Sequence, residues 1–187
     1  MAFLIPSDYA AQIKADLLQA IISDNPAALP SAELSAQSEL ESYLRGRYDV
    51  AGIFMSIQPW VAKPYAAGAV VYHGTPAAVY VASDATTNTA PGAAGALWEA
   101  KDPRHPLIVT YMVDSTLYLI HSRQNPRTVP QIRQDRYDHV IEWLNLCRQG
   151  KISPGLPFLT DTRPDGTENK ESIRIRSGSL KKLRNSY

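Results

Sequence analysis

Residues 136–157 read RYDHVIEWLNLCRQGKISPGLP. An amphipathic stretch runs to Gln149, and Gly150, Pro154, Gly155 and Pro157 then end it within a few residues. Tyr137, Val140, Ile141, Leu144 and Cys147 recur at helical intervals and make one apolar face. Gly150 can take the left-handed position just past a helix end without a β-carbon clash, so the spacing predicts a Schellman-type ending followed by proline. Such an ending turns the chain sharply at a defined place. Residues 158–187 follow it and are mostly polar.

Upstream, QNPRTVPQ (124–131) reads as a hinge. Thr128 and Gln131 have the spacing of a capping box, with Pro130 tolerated in the first turn. PLIVTYMVDSTLYLIHSR (106–123) places Ile108, Tyr111, Met112, Ser115, Leu119 and Ser122 on one helical face. Two more helices are predicted near the start. In SDYAAQIKADLLQAII (7–22), Ser7 or Asp8 caps the start, and Tyr9, Ile13, Leu17 and Ile21 form the apolar face. Pro26 and Pro30 exclude helix on their N-terminal sides. SAELSAQSELESYLRGRYDV (31–50) carries Ala36, Leu40, Tyr43 and Leu44 as its stripe. Its acids Glu33, Glu39 and Glu41 come early and Arg45 and Arg47 late, in the order the helix dipole favours.

The texture changes between residues 59 and 103, where charges thin out and Gly, Ala, Pro, Thr and aromatics take over. AVVYHG (69–74) and AAVYVAS (77–83) read as short strands around a Gly74-Thr75-Pro76 turn. A structureless loop of this length is unusual inside a compact domain, so a three-stranded module is expected. The fold expected from these patterns is mainly α. It comprises a four-helix core from residues 1–58 and 104–157, a small β-rich insert at 59–103 and an extended C-terminal arm at 158–187.

Composition narrows the function classes. The 187 residues are 44% hydrophobic, enough for a core, and 19 Lys and Arg against 18 acids leave a net charge of +1. That balance argues against nucleic acid as the main partner. The single cysteine, Cys147, forms no internal disulfide and reads as a small buried hydrophobe. MAFLIPSDYA lacks the basic start of a signal peptide, and no apolar run reaches membrane-spanning length. His73, His105, His121 and His139 share no metal-type spacing, and no phosphate-loop or nucleophile-elbow motif occurs. Asp135 and Asp138 sit among Arg133 and Arg136 and read as a solvated face with weak local pairs. No catalytic, cofactor-binding or metal-binding residue is therefore expected, and the chain reads as a non-enzyme. Trp60, Tyr65, Tyr72, Tyr80 and Trp98 cluster in the charge-poor region. They suit a carbohydrate-stacking platform, or the core of a small β module that has few other residues to build with.

The region 117–157 resembles the C-terminal half of the Mu-like prophage head-tail adaptor proteins, small connectors in the neck of tailed phages. The matching positions are Tyr118, Arg123, Asn125-Pro126-Arg127, Arg133, Arg136-Tyr137, Trp143-Leu144, Gly150-Lys151-Ile152 and Leu156-Pro157. Tyr43, Leu44, Arg47 and Tyr48 match the end of the family's second helix. The family has only a short connection where this chain carries residues 59–103. That insert resembles the small chitin-binding type of carbohydrate-binding module through Tyr65, Gly68, Val70 or Val71, Tyr72, Gly74, Tyr80, Ala82, Pro91 and Trp98, with Trp60 as the preceding Trp.

The first resemblance implies a structural virion protein. It would be made in the host cytoplasm and placed in the neck as a closed ring, usually dodecameric, joining the portal protein to the tail or a tail-completion protein and helping to complete the DNA-filled head. The second implies the rival reading, a carbohydrate-binding or virion-surface module on a helical scaffold. The tail supplies expected contacts. Ile173, Arg174, Ile175 and Arg176 alternate like a strand, and Leu180, Lys181, Lys182, Leu183 and Arg184 follow with no acid among them. The arm is expected to be disordered in the free chain and to order on assembly, the alternating segment adding a strand to an exposed edge on a neighbour or the portal. Exiting DNA is the weaker choice of partner.

Overall fold

Helix α4 (Pro106–Gln124) is the centre of the helical half of the molecule. The computed structural model describes residues 2–22, 25–93, 95–124 and 129–159. Tyr111 through Leu117 of α4 are all buried, so this helix is enclosed on nearly every side rather than along one stripe. α2 (Ala28–Leu44) packs on it through Ala32, Ala36, Leu40 and Leu44, each 0% exposed. The two alanines bring the helix backbones close, and the leucines fill the space below them. α5 (Gln131–Gln149) adds Val140, Leu144 and Cys147 to the same core.

The N-terminal reading needs correction. The first predicted helix is broken into a 3-10 turn, Pro6–Ala11, and a separate α1, Ala15–Ile22. Counting in fours from Tyr9 does not survive that break. Leu18 and Ile22 are the buried positions of α1, whereas Leu17 is 57% exposed. α2 starts at Ala28, ahead of Pro30. A proline in the first turn lacks only an N–H that has no helical partner there, so Pro30 does not exclude the helix before it. In α4 the buried face likewise includes Val113, Thr116, Leu117 and Ile120, while Leu119 and Ser122 are only half-buried.

The ending of α5 follows the sequence reading. Gly150 has φ 69° and ψ 20°. Its N–H donates to the Cys147 carbonyl and the Lys151 N–H donates to Leu146, both at 3.0 Å, the paired bonds of a Schellman motif. The chain then folds back. Leu156 enters the core, Phe158 stacks on Tyr48 at 5.3 Å, and the Leu159 N–H donates to the Arg47 carbonyl. The turn thus delivers residue 159 to the corner between α2 and the short α3 (Val50–Ile53). Residues 125–128, with Asn125-Pro126-Arg127 and Thr128, lie outside the described residues, as does the arm from residue 160. The expected capping box does not form, because Pro130 holds the cap position and Gln131 is the first helical residue of α5.

The mainly-α expectation is overturned by the sheets. β1 (Gln58–Pro59), β3 (Val70–His73), β4 (Ala78–Ala82) and β6 (Trp98–Ala100) form one mixed four-stranded sheet in the order β1-β3-β4-β6. β2 (Pro64–Tyr65) and β5 (Thr86–Thr87) form a second, two-stranded sheet. β3 and β4 are the two strands legible in the sequence, as short runs rich in Val and Tyr on either side of a turn. The others are two or three residues long and are defined by pairing with a neighbour, which leaves no periodic trace in the sequence. The parallel pairing of β1 with β3 brings residues next to the helical half into the larger sheet. One sheet face packs on the N-terminal segment, with Val70, Tyr72, Ala77 and Val79 against Ile5 and Ile57. The molecule is therefore a mixed α and β structure, and the N-terminal segment belongs to both halves.

Candidate functional site

Two polar joints and one pocket hold the N-terminal segment against the rest of the molecule. The first joint is Arg104, just before α4, with its side chain 1% exposed. Its guanidinium donates to both oxygens of Asp102, to both of Asp8 at 2.6 and 3.0 Å, and to the Phe3 carbonyl at 2.9 Å. Every guanidinium N–H is used, in the planar fork that suits carboxylates. Burial pulls the Arg104 pKa down, but the hydrogen bonds and charges of Asp102 and Asp8 outweigh it and leave it raised. Asp8 also accepts from the Ile5 N–H, and the Ser7 hydroxyl donates to the Ala77 carbonyl at 2.7 Å. Neither Ser7 nor Asp8 is the cap that the sequence suggests: the cap position is Ile5, and Asp8 lies inside the turn as a tie between segments.

The second joint corrects the reading of α5 as a solvated charged face. Arg133 and Arg136 reach Asp114 of α4 at 3.9 and 3.2 Å, not Asp135 and Asp138. Asp135 instead accepts from Gln131. Arg133 also donates to the Gln12 carbonyl, and Arg136 to the Gln12 side chain. Asp114 is 6% exposed, and burial raises its pKa despite the two arginines. A lone acid inside LIVTYMVDSTLYLI was the signal available in the sequence, since a buried carboxylate requires a partner. The resembling tyrosines serve as joints too. Tyr118 stacks on Tyr137 at 4.1 Å, and the Tyr137 hydroxyl donates to Glu39 at 2.7 Å. Cys147 is fully buried, and burial pushes its thiol up to about 11, against the opposing pull of Arg47.

The pocket lies between the N-terminal segment, α1 and the first turns of α2. It measures about 440 Å³ and has apolar walls that include Leu4, Ile13, Leu18 and Leu29. Glu33 forms its polar point, accepting from the Tyr9 hydroxyl at 2.6 Å. Burial raises the Glu33 pKa, with the Tyr9 hydrogen bond pulling the other way. The Tyr9 hydroxyl is itself lifted far above its usual range by burial and then by the Glu33 charge. Because the folded chain holds the Glu33 proton longer than the unfolded chain, this group favours folding below the ordinary carboxylate pKa. That contribution is lost as pH rises through the folded value. Denaturant melts of a chain ending at Leu159, without the basic tail, should therefore show between pH 4 and 7 a downward component with rising pH that Glu33→Gln removes. An unchanged pH slope in the variant would place the Glu33 carboxyl in water.

The five aromatics singled out in the sequence do not form one platform. Tyr72 pairs with Val79 and Tyr80 with Val71, so the two tyrosines lie on opposite faces of the sheet. Tyr72 faces Ile5 and the pocket. Trp98, opposite Ala82, shares the Tyr80 face. There Tyr65 meets Trp98 edge-on at 5.3 Å, the Trp98 indole donates to the Thr89 carbonyl, and the Tyr65 hydroxyl bonds the backbone of Val61. Trp60 packs edge-on to His73, and its buried indole nitrogen has no hydrogen-bond partner among the described residues. The arm residues Ile173, Arg174, Ile175, Arg176, Leu180, Lys181, Lys182, Leu183 and Arg184 lie outside the described residues.

Among the described residues no cluster of His, Cys, Asp and Glu has the arrangement of a metal site, and no helix is long and apolar enough to cross a membrane. Compared with known proteins, the chain matches no protein-family model, no curated protein and no solved structure.

Proposed function

We propose that the chain is a ring-forming connector of a tailed-phage neck, joining portal to tail. The observation that carries the reading is the placement of exposed apolar side chains on separate faces of the helical half. Leu17 on α1 and Ile132 on α5, 57% and 59% exposed, border a groove of about 560 Å³. Leu34 on α2, 65% exposed, lines a different recess with Ala2 and Leu4. A closed ring is built from a heterologous contact, in which two unlike faces of one protomer meet. Leu17 with Ile132 on one side and Leu34 on another give two unlike contacts of that kind, the first flanked by Lys14 and Arg133. The resemblance at Tyr118, Arg133, Arg136-Tyr137, Trp143-Leu144 and Gly150 supports the same reading, since these residues form the internal joints that would hold both faces at a fixed angle.

The test is the mass of the purified chain, alone and with portal, by light scattering and native mass spectrometry. The expected result is a closed assembly at a multiple of 20.6 kDa, with portal or without it. The double variant Leu17→Asp, Ile132→Asp should lose the assembly and keep its helical signal, because both side chains are exposed. A chain that stays monomeric under both conditions overturns the proposal.

A further inference from the structure

We infer that the 440 Å³ pocket at Glu33 is the receptor for the chain's own basic C-terminal segment, residues 180–184, with Leu180 and Leu183 in the apolar part and Lys181 or Lys182 on the Glu33 carboxylate. Three observations lead there. The pocket joins apolar walls to one carboxylate; among the described residues Glu33 accepts from the Tyr9 hydroxyl and takes part in no ion pair, and the positive charge of the amino terminus is the weakest of the influences on its pKa. A half-buried carboxylate in an apolar wall favours a ligand that brings a cation and aliphatic surface together. Leu180-Lys181-Lys182-Leu183-Arg184 has that composition, in a stretch from Ser172 to Tyr187 that contains no acid.

The third observation is reach. The chain leaves the described structure at Leu159, tied to Arg47 at the C-terminal end of α2, whereas Leu29 and Glu33 sit at its N-terminal end. At about 1.5 Å per residue these ends are roughly 20 Å apart. Residues 160–179 cover up to about 65 Å when extended, enough to reach the pocket on the same copy or on an adjacent one. The other large recess is a poorer receptor for a basic segment, because Lys14 and Arg133 line it. The inference goes beyond the ring reading and does not require it, since a single copy can satisfy the contact.

Zero-length carbodiimide cross-linking of the full chain, followed by peptide mass spectrometry, tests this directly. The expected product joins Glu33 to Lys181 or Lys182. Mixing isotope-labelled and unlabelled chains shows whether the two residues belong to one copy or two. The variant Leu180→Asp, Leu183→Asp keeps both lysines and should lose the link, which separates docking from simple charge attraction. Links from Lys181 and Lys182 spread over the exposed Asp16, Glu99, Asp138 and Glu142 without Glu33 would overturn the inference. So would a Glu33 link that survives the double Leu variant. A monomeric chain that forms the Glu33 link sinks the ring reading and leaves this one standing.

Discussion

Replacing Arg104 with methionine is expected to lower the unfolding free energy by about 3–5 kcal/mol, the cost of leaving the buried Asp8 carboxylate without its counter-charge. Asp8 has a side-chain exposure of 9% and stays behind with two hydrogen bonds lost. The Phe3 carbonyl loses its donor as well. Arg104→Lys should recover only part of the loss, because an ammonium cannot fork between two carboxylates and a carbonyl at once. The cycle with Asp8→Asn gives the coupling, and the double variant should cost clearly less than the sum of its singles. Urea melts followed by helical circular dichroism measure all four proteins. A loss below about 1 kcal/mol for Arg104→Met would mean that water reaches the joint, as in exposed pairs.

The second large effect distinguishes two registers of α4. Leu117 is fully buried at the centre of the helical core, and Leu117→Ala should cost about 2–5 kcal/mol through lost transfer energy and the cavity left behind. Leu119 lies on the face that periodicity selects but is only half-buried, and Leu119→Ala should cost less than half as much. Equal losses, or a larger one at Leu119, would restore the sequence-derived face and require α4 to be rotated about its axis.

That comparison shows where periodicity stops being informative. In α2 one stripe faces the core and the rest faces water or the molecule's edge, so Ala36, Leu40 and Leu44 were legible. In α4 nearly every position is apolar or small, and a helix without a polar face gives no direction. There the packing of α2 and α5 decides which residues are innermost. α1 failed for a different reason. A 3-10 turn of six residues resets the count, and nothing local in SDYAAQIK announces the reset.

The two polar joints were hidden for a common reason. Local spacing pairs Arg133 and Arg136 with Asp135 and Asp138, which are near in sequence. The fold pairs them with Asp114, in the preceding helix. Asp8 and Arg104 are likewise brought together although 96 residues separate them in sequence. The Glu33 pocket was hidden as well, because its walls come from four segments and the sequence presents Glu33 only as an acid in a helix's first turns.

By itself, the sequence determined the helices around Leu40 and Leu144, the hairpin of β3 and β4, and the stop at Gly150. Each of these rests on short-range physics: one apolar stripe, two runs of β-branched and aromatic residues around a turn, or a backbone angle that only glycine adopts freely. The tertiary structure alone decided that the sheet joins the body of the molecule, that the aromatics divide between two faces, and that charged residues distant in sequence close the joints. Those outcomes depend on burial, which a residue acquires from neighbours that the chain brings to it only on folding.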